Sequence, residues 1–132
     1  MILNKYCRTE YESYENFYNQ LRIHVPENFN FGYDIMDELA AVKPASRALV
    51  WCNDRGDEKI ITFGEMKTLS DKCANLLRAR GIRKGDFVMT TLKRHWQYWV
   101  IAVALHKLGA VLVPATYQLT EKDMIYRVSA AD

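Results

Sequence analysis

Apolar residues recur along this chain with two different periods, and the changes of period divide it into elements. Tyr11, Tyr14, Tyr18, Leu21 and Val25 alternate steps of three and four, with Phe17 alongside. This aromatic stripe predicts a first helix, packed through its rings and ended by Pro26. In YDIMDELAAV the same spacing places Ile35, Met36, Leu39 and Val42 on one side of a second helix, which Lys43-Pro44 closes. The period then shortens. ALVWC and KIITF are β-rich runs separated by NDRGDE, whose Asn, Asp and Gly supply turn chemistry, so a hairpin is predicted from Leu49 to Phe63. Thr62-Phe63-Gly64-Glu65 has the S/T-x-x-E form of a capping box, in which hydroxyl and carboxylate satisfy the first orphan N–H groups of a helix. That third helix would bury Met66, Leu69, Cys73, Leu76 and Leu77 and end at Gly81, a residue suited to a left-handed C-cap.

From Gly85 the order is turn, strand FVMTTL, helix HWQYWVIAVALHKLG, strand VLVPA, then a last helix that Thr120 caps and Met124, Ile125, Val128 and Ala131 stripe. Strand, helix and strand in close succession is the grammar of parallel pairing with a crossover. Tyr98 to Leu105 leaves almost no polar side, so that helix expects cover on both sides. The predicted class is α/β, as one unit: helices over residues 1–45, then the hairpin and βαβ region over 46–132.

Composition adds limits. A chain of 132 residues that is 49% hydrophobic and 26% charged can bury a core. Its 18 basic and 16 acidic residues leave a net charge of +2, too balanced for a nucleic-acid partner. Arg78, Arg80, Arg83 and Lys84 read as a solvated helix end and loop. Cys7, Cys52 and Cys73 are odd in number and unpaired in spacing, which fits a reducing compartment, the cytoplasm by default. The N-terminal segment has no apolar signal core, and its acidic residues argue against a transit peptide. The apolar run from Trp96 to Leu105, closed by His106 and Lys107, is too short to span a bilayer.

No catalytic constellation is visible. Ser13, Ser46, Ser70 and Ser129 lie outside any G-x-S-x-G context. His24, His95 and His106 fall on separate elements, and no spacing suits a metal. A phosphate cradle needs clustered glycines, whereas the six glycines here are single. GIRKG reads as the end of one helix and a turn into the next strand, held by the Asp86 carboxylate.

Two stretches, ITFGEMKTLSDKCANLLRARGIRKGDFVMTTL and KLGAVLVPATYQLTEKDMIYRVSAAD, resemble the start of the adenylate-forming, or AMP-binding, superfamily. VPENFNFGYDIMDELA and TYQLTEKDMIYR resemble its medium-chain acyl-CoA synthetase branch, and the likeness covers roughly residues 14 to 132. It implies the N-terminal portion of a much larger enzyme that joins a carboxylate to ATP, releases pyrophosphate, and passes the acyl group from acyl-AMP to CoA. Mg²⁺, ATP and CoA are the implied cofactors, and a small carboxylate is the implied substrate. The family's phosphate-holding loop, metal carboxylates and catalytic lysine lie further along, so no catalytic residue and no metal ligand is assigned here.

The resemblance places the turn after Val111–Ala115 at the CoA entrance, which singles out Tyr117 and Gln118. Lys93-Arg94-His95 departs from the proline-containing turn common in relatives. The resulting expectation is a truncated chain, inactive and cofactor-free alone, that exposes apolar surface on its last two helices and self-associates. The rival expectation is a stand-alone α/β binding or interaction module.

Overall fold

The computed structural model describes residues 2–130. A 3₁₀ turn, Ile2–Lys5, precedes α1 (Tyr14–Gln20); a π-helical segment, Phe31–Asp37, runs directly into α2 (Glu38–Val42). Then follow β1 (Arg47–Cys52), β2 (Glu58–Thr62), α3 (Phe63–Ala79), β3 (Phe87–Thr90), α4 (Gln97–Leu108), β4 (Val111–Pro114) and α5 (Glu121–Ser129). This is the expected α/β order. β1 and β2 form an antiparallel hairpin in which Val50 faces Ile60 and Trp51 faces Lys59, with an irregularity between Arg47 and Leu49. β3 and β4 pair in parallel, from Phe87 opposite Val111 to Thr90 opposite Pro114. The two pairs are separate two-stranded sheets.

Local chemistry explains the boundaries. In the hairpin turn the Asn53 side-chain amide oxygen accepts the Arg55 and Asp57 N–H groups. Thr62 and Glu65 complete the capping box of α3, and the two hydrogen bonds from Thr62 hold the Glu65 carboxyl below its usual range. α3 ends in a Schellman motif: Gly81, at φ +100°, donates to Arg78 while Ile82 donates to Leu77. The Asp86 carboxylate accepts the Arg83 N–H at 2.7 Å, which fixes the turn into β3 as the sequence implies. Gly109, at φ +70°, closes α4 in the same way as Gly81 closes α3.

The core gathers Ile61 from the hairpin, Met66 from α3, and Val100 and Val103 from α4. Met36, Leu49, Leu69, Cys73 and Trp96 pack around it. Burial pushes the Cys73 thiol pKa up, as expected of a packed thiol rather than a nucleophile.

Several expectations are corrected. α1 is only Tyr14–Gln20; Leu21 leaves helical geometry, and the Arg22 guanidinium takes the carbonyls of Asn19 and Leu21. Its rings are not packed into a core: Tyr14 and Tyr18 are exposed and lie against each other, 6.2 Å between centroids. Helix two starts in wide π turns, which shifts its phase so that Ala40 is buried and Val42 exposed. On α3, Ser70 and Ala74 are buried where Leu76 was expected, because α3 lies against α4 through small side chains; the Ser70 hydroxyl donates to the Lys67 carbonyl. β3 stops at Thr90, before Leu92. On α4 only Trp99 is an exposed large apolar residue, whereas Ile125 and Val128 of α5 are exposed as expected; Ala131 lies outside the described residues.

The largest correction concerns Lys107. Instead of closing an apolar run in solvent, its side chain is 1% exposed, and its ammonium lies 2.6 Å from Asp37 and in contact with Asp71. Lys67 joins from α3, 2.6 Å from Asp71 and 3.5 Å from Asp37. Two cations and two carboxylates thus tie the π segment, α3 and α4 together. Gly32 lets the π segment come this close: a Cβ there would stand 2.5 Å from Lys107 Cγ. The Asn30 amide donates to the His106 carbonyl at 2.7 Å, and its oxygen accepts the Gly32 N–H.

Burial works against the Asp71 carboxylate, but hydrogen bonds from Lys107 and Lys67 outweigh it and hold the pKa below its usual range. A depressed folded-state pKa contributes stability that is present above the unfolded value and lost as pH falls through the folded one. The stability gap between wild type and Asp71→Asn, read from urea midpoints, should therefore be full at neutral pH and close below the ordinary aspartate value of 3.8. A gap that stays constant into strong acid would contradict this.

Candidate functional site at the carboxyl ends of the parallel strands

Parallel pairing brings two strand-to-helix loops side by side, because Thr90 and Pro114 are register partners and the Ala115 N–H donates to the Thr90 carbonyl at 2.9 Å. Carboxyl ends of parallel strands are where open α/β sheets bind ligands, since the loops there are free to vary over a fixed scaffold. One loop carries Lys93, Arg94 and His95 and leads into α4. The other carries Thr116, Tyr117 and Gln118 and leads into α5.

The second loop is built by its own hydroxyls. The Thr116 oxygen accepts the Gln118 N–H at 3.3 Å. Thr120 and Asp123 form a second capping box, and the Thr120 hydroxyl and backbone N–H draw the Asp123 pKa down. Tyr117 is 51% exposed, and the Lys93 ammonium sits 5.1 Å from its ring centroid. Such a contact contributes roughly 0.5–1 kcal/mol at an exposed site and orients the ring. Gln118 is exposed beside it. The two residues singled out in the sequence therefore share one solvent-facing rim, joined to the preceding loop through Lys93.

The first loop is fixed more firmly. Arg94 has φ +43°, the one positive value outside glycine among the described residues. The Trp51 indole N–H donates to its carbonyl at 2.6 Å, so the hairpin holds this turn in place. Trp51 was legible only as a strand residue, and nothing in the spacing of Lys93-Arg94-His95 revealed this bond across 43 positions.

Among the described residues, no group of three or more His, Cys, Asp or Glu could hold a metal ion. No described helix is long and apolar enough to cross a membrane. The arrangement is an exposed rim formed by two strand-to-helix loops.

An α/β section with a parallel strand–helix–strand unit whose two loops meet at its carboxyl end is the class that this geometry defines. The family model for the AMP-binding enzyme matches residues 36–132, and the chain belongs to that family. Acyl-coenzyme A synthetase ACSM4, mitochondrial, of Rattus norvegicus is 42% identical over 113 residues, spanning 81% of this chain and 20% of that protein. Acyl-coenzyme A synthetase ACSM3, mitochondrial, of Homo sapiens is 37% identical over 127 residues, spanning 92% of this chain and 22% of that protein. Among solved structures, a fatty acyl CoA synthetase of Mycobacterium tuberculosis superposes with a TM-score of 0.68 at 28% identity, covering 77% of this chain and 20% of that one. The chain thus spans about a fifth of the length of the relatives it matches.

Proposed function

We infer that this chain serves as part of the large domain of an AMP-forming acyl-CoA synthetase. The observation that carries the reading is the identity of 37–42% to acyl-CoA synthetases over most of this chain, beside its superposition on a fatty acyl CoA synthetase structure. In such an enzyme a carboxylate, a poor electrophile, is activated by ATP to an acyl-adenylate with loss of pyrophosphate, and the CoA thiol then displaces AMP. Tyr117 and Gln118 form part of the CoA entrance in this reading, with Lys93 orienting the tyrosine.

The loops at the carboxyl ends of β3 and β4 do not fit Mg²⁺ or the triphosphate of a reacting ATP. Stabilising a transferring phosphoryl group requires donors that converge on it, in a glycine-rich loop with metal-binding carboxylates. Here Gly56, Gly81, Gly85 and Gly109 each serve a separate turn at positive φ. One solvated basic side chain contributes at most about 1 kcal/mol to an ion pair. Micromolar ATP binding requires roughly 8 kcal/mol.

Two further proposals concern association and compartment. β3 and β4 form a pair with no further strand beside it among the described residues, and Phe87 (55%), Ile125 (59%) and Val128 (52%) are exposed. Such edges and faces drive self-association. None of the three cysteines is in a disulfide, which suits a reducing compartment. We place the protein in the cytoplasm; the mitochondrial designation of the relatives makes the organelle interior the alternative that localisation of a tagged chain decides.

The 132-residue chain should release no pyrophosphate with a panel of short- and medium-chain carboxylates, whereas a synthetase carrying this section should do so with ATP, Mg²⁺ and CoA. Acyl-dependent release by the repurified chain would overturn the assignment of catalysis to residues outside it. In sedimentation the chain should form dimers or larger species at moderate concentration; a clean monomer that binds no hydrophobic dye would contradict the self-association.

A further inference from the structure

A cavity of about 350 Å³ lies between the hairpin turn and the loop after β3, and of its lining the acyl-CoA reading uses Lys93 alone. Its wall includes Trp51, Arg55, Lys93, Arg94 and His95, with Asp54 as its carboxylate. We propose that this cavity is an oxyanion site for a phosphate or pyrophosphate group, with Arg55 and Arg94 as its principal ligands.

The charge is the first reason. Three permanent cations share the wall with one carboxylate. Among the described residues, the ion pairs engage Lys5, Lys67 and Lys107, so none of the cavity's three cations is neutralised by a salt bridge. The side chains of Arg55 and Arg94 donate to no protein acceptor among the hydrogen bonds of the described residues, which leaves both guanidinium forks available. A guanidinium presents parallel N–H groups that match two oxygens of one phosphate, which a carboxylate neighbour at this charge ratio cannot saturate.

The backbone is the second reason. Arg55 emerges from a turn whose N–H groups at Arg55 and Asp57 are both held by the Asn53 oxygen. Arg94 is kept at φ +43° while the Trp51 indole holds its carbonyl. A non-glycine residue in this region costs free energy that the surroundings must offset. Both arginines therefore leave fixed points of the main chain, and less order has to be imposed when an anion arrives. Trp51 adds an apolar wall that leaves room for an organic group attached to the phosphate. The two arginines and Trp51 have no part in the CoA entrance proposed above.

The test is an NMR titration of the 132-residue chain with inorganic pyrophosphate at low ionic strength. It follows the Trp51 indole N–H resonance, assigned with Trp51→Phe, beside a sodium chloride series of matched ionic strength. The expected result is a saturable shift with pyrophosphate that chloride does not reproduce. Arg55→Gln and Arg94→Gly should each weaken binding about threefold or more, the second while keeping the left-handed backbone that glycine adopts freely. Should Arg94→Gly disturb the fold, Arg94→Lys, which keeps charge but loses the fork, should weaken binding less than Arg55→Gln. Arg8→Gln, far from this cavity in sequence and lining another, should change nothing. A chloride series that reproduces the shift, or an Arg8→Gln loss equal to that of Arg55→Gln, would overturn the site in favour of general charge attraction.

Discussion

A lysine almost sealed from water between two aspartates is the constraint on which this structure depends. The Lys107 ammonium, with its side chain 1% exposed, would be a buried charge without a partner if the carboxylates of Asp37 and Asp71 were not beside it. Those two groups come from the π segment and from α3, so satisfying one ammonium fixes three helical elements relative to one another. Replacing such a cluster with apolar residues is often neutral or stabilising, but removing one partner is costly because a charge is left buried alone. The cluster therefore specifies an arrangement more than it adds stability. Lys107 Nζ also lies 5.8 Å from the Tyr33 ring, which brings a second residue of the π segment to the same charge.

The consequences reach the candidate site through the fold. α4 is the crossover between β3 and β4, and the residue after Lys107 and Leu108 is the glycine that turns the chain into β4. Anchoring α4 against α3 and the π segment fixes where both parallel strands end. Those ends carry the Lys93–His95 and Thr116–Gln118 loops. The hairpin contributes separately, since Trp51 reaches across to Arg94. Gly32 is the small residue that makes the approach possible, because any Cβ there would meet the Lys107 stem.

Elements whose signals are local were legible in the sequence. The capping box at Thr62, the N-cap at Thr120, the turn residues of the hairpin and the glycine that ends α3 each act over a few positions, and the parallel order followed from the succession of elements. What was hidden acts at a distance. Lys107 read as the polar end of an apolar run because its partners lie 70 and 36 positions away, and no spacing rule links them. The aromatic stripe of α1 misled for a related reason: periodicity reports that a face could pack, not that something is present to cover it. The π turns of Phe31–Asp37 depend on Asn30, Asp34 and the contact with α4, so the phase of that helix was not written in its own apolar pattern. At the candidate site, Tyr117 and Gln118 came from resemblance, while the Arg94 turn is held by a Trp51 bond across 43 positions that no local pattern encodes.

The most direct measurement is a set of urea unfolding free energies for Lys107→Met, Asp37→Asn with Asp71→Asn, and the triple variant. If the buried lysine and its two aspartates fix the arrangement, Lys107→Met alone should lose about 3 kcal/mol, the paired asparagines a similar amount, and the triple variant much less than their sum. Losses below about 1 kcal/mol for Lys107→Met, or strict additivity in the triple variant, would contradict the central role given to this cluster.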